Sequence, residues 1–197
     1  RYQIVCEGVT GSLRRRLTGA EWDFVTTFQT FSRGTVELDP HYFYAYLQPE
    51  LSGYDAWFNV KDNQLVLGVS SPEPKELEAY YRRFTAYMEE RHGLRLEETI
   101  RGEKWLMPRV RPGCPVELGR GRVLFAGEAA GFLNPMGEGI SAALESGRQA
   151  ALAAASFPDC PDRALAAYRE ETEVLRSYMI RQWRFTARLA GRFQEMA

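Results

Sequence analysis

Val123-Leu124-Phe125-Ala126-Gly127-Glu128-Ala129-Ala130-Gly131-Phe132-Leu133-Asn134-Pro135-Met136-Gly137-Glu138-Gly139-Ile140 is the stretch whose reading decides the fold. Its first four residues are apolar and read as a short buried strand. Four glycines (127, 131, 137 and 139) then separate that strand from a helix rich in small residues. Glycine is entropically costly to order, so this density marks a backbone that turns sharply or comes close to a ligand. A helix starting near Gly137 would aim its unpaired N–H groups and positive dipole end at that ligand. An electron-rich, partly anionic group is what such an end stabilises. A tight strand-to-helix connection that binds nothing would also use glycine. The ordered set of Glu128, Asn134-Pro135 and Gly137-Glu138-Gly139 favours the ligand.

Outward from this stretch, the chain opens on a strand, Tyr2 to Cys6, followed by Glu7-Gly8 and a basic segment, Ser12 to Leu17. Residues 23–69 favour strands, with β-branched and aromatic residues from Phe24 to Phe31. His41 to Leu47 alternates Tyr42, Tyr44 and Tyr46 with Phe43, Ala45 and Leu47, which predicts a two-faced strand. Lys61-Asp62-Asn63 predicts a hairpin turn between Ala56–Val60 and Gln64–Val69. A helix is expected from Lys75 to about Arg91, with Leu77, Tyr80, Tyr81, Phe84 and Met88 at helical spacing and Gly93 as its C-cap. Leu94 to Ile100 reads as another strand, and Trp105 to Pro108 as its exit. After residue 140, Ile140, Ala143, Leu144, Gly147, Ala151 and Ala154 form one stripe, and a single long helix is expected from about Asp162.

The 197 residues carry 25 basic and 26 acidic side chains, a net charge of −1 that gives nucleic-acid binding no support. Cys6, Cys114 and Cys160 are odd in number and lack ligand spacing, and with only His41 and His92 beside them no metal site is expected. They read as reduced thiols of a cytoplasmic protein. No apolar run approaches the roughly 20 residues of a membrane span.

The run from Val123 to Ala151 resembles the second FAD-binding motif of para-hydroxybenzoate hydroxylase-like flavoproteins, most closely in their geranylgeranyl reductase branch. That pattern reads strand, G-D-A-A-G, a hydrophobic residue, N-P, then G-E-G-I and a helix with A-x-x-S-G. Glu128 stands where the family usually has Asp. The resemblance implies that Glu128, with Ala129 beside it, bonds the ribityl chain, and that Asn134 and Pro135 lie along the isoalloxazine ring. Gly137, Gly139 and Ile140 would offer N–H groups to the ring edge that gains negative charge on reduction. A side chain at Gly139 would fill space the ring needs and could forbid the required φ. Ile4 to Arg15 resembles the strand-A-D-G-helix motif ending in Arg, with Glu7 for Asp and Gly8 as its glycine, which implies Glu7 and Gly8 as further cofactor contacts; Arg15 and Arg16 read as solvated. Gly53 to Lys61 resembles the Y-x-W-x-F-P-K segment, which points to Tyr54 and Trp57 as substrate contacts.

The expected fold is α/β. Residues 1–17 and 113–157 would be part of a Rossmann-like FAD domain, residues 18–112 an antiparallel substrate-domain sheet with one helix, and 158–197 a helical tail. The G-x-G-x-x-G unit that would hold the nucleotide half of FAD occurs nowhere in the sequence, so this part of the site is expected upstream of Arg1, and the chain alone is expected without FAD and inactive. By resemblance the activity is hydride exchange between FAD and a small apolar or isoprenoid-like substrate, with NAD(P)H or ferredoxin as electron donor. No residue reads as a dedicated proton donor. A flavin monooxygenase on the same fold, or a non-catalytic lipid-binding or docking module, are the alternatives. Of Tyr42, Tyr44, Tyr46, Tyr54, Trp57 and Trp105, all but Tyr54 and Trp57 read as core. Arg176, Arg181, Arg184, Arg188 and Arg192 face only Glu195 across residues 174–197, interleaved with Met179, Trp183, Leu189 and Phe193. This helix reads as packed on the protein with its arginines in solvent, or as a peripheral membrane contact.

Overall fold

Where the sequence is richest in β-branched and aromatic residues, the chain builds its larger sheet. The computed structural model describes residues 1–19 and 21–196, with side chains through residue 191, so the side chains of Arg192, Phe193 and Glu195 lie outside the described residues. In chain order the elements are β1 (Gln3–Val5), α1 (Ser12–Thr18), β2 (Phe24–Thr35), β3 (Tyr44–Tyr46), β4 (Ala56–Lys61), β5 (Gln64–Ser71), α2 (Leu77–His92), β6 (Arg95–Pro108), β7 (Gly119–Arg120), β8 (Val123–Phe125), α3 (Ile140–Ser156), α4 (Pro161–Glu171) and α5 (Glu173–Met196). They divide into two units, Arg1–Trp22 with Val110–Arg188, and Asp23–Arg109 with Leu189–Ala197. Among the described residues no helix is long and apolar enough to cross a membrane.

The second unit is an antiparallel sheet in the order β3-β4-β5-β2-β6. Asp62 and Asn63 both take positive φ (51° and 59°), the geometry that lets a two-residue turn follow the strand twist from β4 into β5. Alternate residues of β5, Leu65, Leu67 and Val69, join Phe58 and the α2 residues Leu77, Phe84 and Met88 in one buried cluster. Each of these large side chains contributes about 1.5–3 kcal/mol by leaving water. Gly93 ends α2 in the left-handed conformation (φ 59°), as its position predicts.

Three expectations change here. The strand at 94–100 and its exit are one 14-residue strand, because β6 pairs with β2 along its whole length, with register shifts at Phe31/Ser32 and Arg33/Gly34. The strand at 41–47 shrinks to Tyr44–Tyr46, since Asp39 Oδ1 accepts the His41 N–H at 2.9 Å and holds the preceding segment in a turn. Tyr44 and Tyr46 do pack on the core, whereas Tyr42 and Trp105 are 63% and 64% exposed and are not core.

In the first unit, β1 runs parallel to β8, Ile4 opposite Leu124, and β7 pairs antiparallel with β8. The Tyr168 hydroxyl donates to Phe125 O at 2.8 Å and fastens α4 to β8. The long helix expected from residue 162 breaks at Thr172, which leaves helical geometry (φ −98°, ψ 4°) while its hydroxyl donates to Tyr168 O at 2.7 Å. The stripe on α3 is its more exposed face. Ala142, Ser146, Gln149, Ala150 and Ala153 are buried, while Ile140 and Leu144 are 76% and 72% exposed. Small residues occur on both faces of this helix, and a buried hydrogen bond from Gly127 to Ser146 selects between them.

Candidate functional site

β8 delivers the chain into Gly127 (φ +61°), from which residues Gly127–Ala130 make one 3-10 turn ending at Gly131 (φ +96°). The Gly127 N–H donates to the Ser146 hydroxyl at 2.8 Å, and that hydroxyl in turn donates to Ala142 O at 2.6 Å. This buried bond turns the Ser146 face of α3 inward. A Cβ on Gly127 would come within 2.9 Å of the Ala143 Cβ, so the turn needs glycine for contact as well as for φ. Ala129, expected beside Glu128 at the ribityl chain, is 1% exposed and packs inward.

The second turn, at Glu7-Gly8, meets the first. Gly8 has φ +66°, and a Cβ there would lie 3.5 Å from Glu128 Oε2. Glu7 itself is fully engaged within its segment. Its carboxylate accepts the N–H groups of Leu13 (2.9 Å) and Arg14 (3.0 Å) and the Ser12 hydroxyl (2.9 Å) at the start of α1. Burial works against its ionisation, but these donors outweigh it and hold the carboxyl below its ordinary value. Glu7 therefore positions Gly8 rather than reaching outward.

Glu128 is the opposite case. It is partly buried, its carboxylate makes no hydrogen bond among the described residues, and burial alone pushes its pKa up. An unpaired acceptor between two glycine turns is disposed to take hydroxyl donors from a ligand.

The segment that follows is self-knotted. Asn134 Oδ1 accepts the N–H groups of Met136 and Glu138, each at 2.9 Å, and Asn134 O accepts Gly137 N–H at 3.1 Å. Gly137 takes φ +77° to close this turn, and Pro135 is buried. The Asn134 side chain thus shapes the loop, leaving the backbone at Gly137 to Gly139 as its accessible part. Glu138 Oε1 accepts the Ser141 N–H at 3.1 Å, while the Gly139 and Ile140 N–H groups have no acceptor among the described residues. Gly139 corrects the sequence reading in one respect. Its φ is −141°, open to any residue, and a Cβ there would meet Leu133 Cδ1 at 3.1 Å rather than open space. Gly137 is the residue whose φ demands glycine.

Two supports were not foreseen. The Trp183 indole N–H, from α5, donates to Leu133 O at 2.8 Å and braces the loop from behind. Arg14 is 3% exposed, its guanidinium stacked 4.2 Å from the Trp22 ring. That ring in turn lies against Gly131, where a Cβ would come within 3.2 Å of it. Burial lowers the Arg14 pKa, opposed by Glu117, Cys114 and Glu7. Arg15 and Arg16 are exposed, as expected. Ser146 had a signal in the sequence as the serine of A-x-x-S-G, and Arg14 as part of the motif ending in Arg, though not its stacking on Trp22.

Tyr54 and Trp57 belong to the second unit. Trp57 is paired with Gly68 on β5, and its ring occupies the space that a Gly68 side chain would need. Between them sits Asp55, 4% exposed, whose carboxylate accepts the Ser70 hydroxyl. The Ser52 hydroxyl lies 2.5 Å from Asp55 O and 2.6 Å from Ser70 O. Burial pushes Asp55 up to about 6, with the Ser70 bond opposing. No group of residues suited to a metal ion occurs among those described.

No protein-family model and no curated protein matches the chain. Solved structures do. A geranylgeranyl bacteriochlorophyll reductase-like protein of Thermoplasma acidophilum superposes with a TM-score of 0.71 at 19% identity, over 95% of this chain and 50% of the other. PqsL, a probable FAD-dependent monooxygenase of Pseudomonas aeruginosa, gives 0.60 at 18% identity over 97% of this chain and 56% of its own. The flavin-dependent halogenase CmlS gives 0.58 at 16% identity over 90% and 34%. The chain thus spans about half the length of the first two. Over the region matched, it shares its fold with these geranylgeranyl reductase-like and FAD-dependent monooxygenase structures.

Proposed function

We propose that this chain supplies the flavin-ring side of an FAD site in an oxidoreductase that exchanges hydride with a small apolar or isoprenoid-like substrate. The observation that carries the reading is the Glu128 carboxylate, unpaired and partly buried between the Gly8 and Gly127 turns. The residues present fit the group. Glu128 would accept ribityl hydroxyls, and the free Gly139 and Ile140 N–H groups would stabilise charge on the ring edge.

The flavin, when bound, supplies the hydride chemistry, and the protein supplies binding, orientation and electrostatics. Glu7, Asn134, Ser146 and Trp183 hold the contacting residues in place. Tyr54 and Trp57 are the proposed substrate contacts, and NAD(P)H or ferredoxin the proposed electron donor. The nucleotide half of FAD would be held by polypeptide beyond these 197 residues, consistent with the half-length match to the reductase-like structure. The proposed setting is cytoplasmic, in keeping with three widely spaced cysteines.

The 97% coverage by a probable FAD-dependent monooxygenase supports a second reading, oxygen-dependent hydroxylation. Anaerobic mixing of the dithionite-reduced full-length protein with an isoprenoid alkene separates the two. Return of the oxidised flavin spectrum supports the reductase. Reoxidation only on admitting oxygen, with a hydroxylated product, supports the monooxygenase.

A further inference from the structure

We propose that the outer face of α5 is a docking surface for an anionic lipid bilayer. Val174, Tyr178, Arg181, Phe185 and Arg188 follow one another in steps of four, three, four and three residues. At 3.6 residues per turn they fall within an arc of roughly 80°. Val174, Tyr178 and Phe185 are 80%, 45% and 59% exposed, and Arg181 and Arg188 are exposed with them, as is Arg184 about 40° beyond the arc. The opposite side of the helix is spent on the protein, with Met179 and Trp183 each 2% exposed.

Charge selects the occupant. Glu173 at the helix start is taken by Arg176 (2.8 Å) and the Ser177 hydroxyl, and no acidic residue occurs from Val174 to Arg188. A second copy packed on this stripe would set Arg181 and Arg188 against like charges with no carboxylate to pair them. A bilayer of anionic lipid satisfies both components. Headgroup phosphates take the guanidinium groups, while Tyr178, Phe185 and Val174 enter the boundary with the acyl chains. The surface potential of such a leaflet is worth about fivefold in partitioning per basic residue. This inference stands independently of the flavin reading, and its test needs no flavin.

The test is flotation of the purified protein with phosphatidylglycerol-containing vesicles and with phosphatidylcholine vesicles. The protein is expected to float with the former and stay behind with the latter. Arg181→Gln/Arg188→Gln is expected to lower anionic partitioning roughly 25-fold, and Phe185→Ser to weaken it at low and high salt alike. All three positions are exposed, so circular dichroism is expected to be unchanged. Failure of the parent to float with anionic vesicles, or undiminished flotation of the double variant, overturns the proposal. A dimer in gel filtration that the double variant abolishes would assign the face to self-association instead, and equally overturn it.

Discussion

Replacing Asp55 by Asn should change how stability depends on pH more than it changes stability at acid pH. The carboxyl is 4% exposed, and its pKa moves from 3.8 to about 6, burial outweighing the Ser70 hydrogen bond. Because the folded value is raised, the fold is favoured while the group is protonated. That contribution is complete below the unfolded pKa and is lost as pH climbs through the folded one. Two pH units of separation correspond to about 3 kcal/mol, forfeited between about pH 4 and pH 7. Asn keeps an oxygen to accept the Ser70 hydroxyl and has no charge to desolvate. The variant should therefore match the parent, or fall slightly below it, near pH 4, and exceed it by up to about 3 kcal/mol near pH 7. Urea denaturation of both proteins across this range measures the difference directly. Parallel stability curves would refute the reasoning, since Asp55 would then ionise as freely in the fold as outside it.

Trp183→Phe keeps the buried ring and removes the indole N–H bond to Leu133 O, and should cost about 1–2 kcal/mol in denaturant midpoint analysis. Gly137→Ala places a side chain at φ +77° and should cost about 1 kcal/mol or more, whereas Gly139→Val should cost about 1–3 kcal/mol through pressure on Leu133. In full-length protein, Gly139→Val should weaken FAD binding through this displaced loop, measured on variants that keep the parent circular dichroism; parent-like affinity would show that Leu133 accommodates the methyls. The 197 residues expressed alone should purify colourless, because a missing pyrophosphate site costs several kcal/mol at about 1.4 kcal/mol per decade of affinity; a yellow protein with stoichiometric FAD after gel filtration would contradict this.

The glycine turns were legible because each constrains its own backbone. Gly127, Gly131 and Gly137 all take positive φ within the stretch that first suggested a ligand. The hairpin at Asp62-Asn63 and the α2 face were legible for the same local reason. What depended on distant partners was not. Asp55 carries no sign in the sequence of its burial, since Ser70 reaches it from fifteen residues away. Which face of α3 packs inward was not legible, because small residues occur on both sides and it is the Gly127–Ser146 bond that distinguishes them. Glu7 and Asn134 were read as cofactor contacts by resemblance, and the geometry gives their side chains to the turns that present Gly8 and Gly137.

The central claim is that Glu128 faces the flavin, and the FAD dissociation constant of full-length protein carrying Glu128→Ala tests it most directly. Loss of one partly buried, charged acceptor is worth about 1.5–3 kcal/mol, so the dissociation constant should rise by roughly one to two decades, with circular dichroism unchanged and Glu128→Asp close to the parent. Parent-like FAD affinity in folded Glu128→Ala would contradict the account.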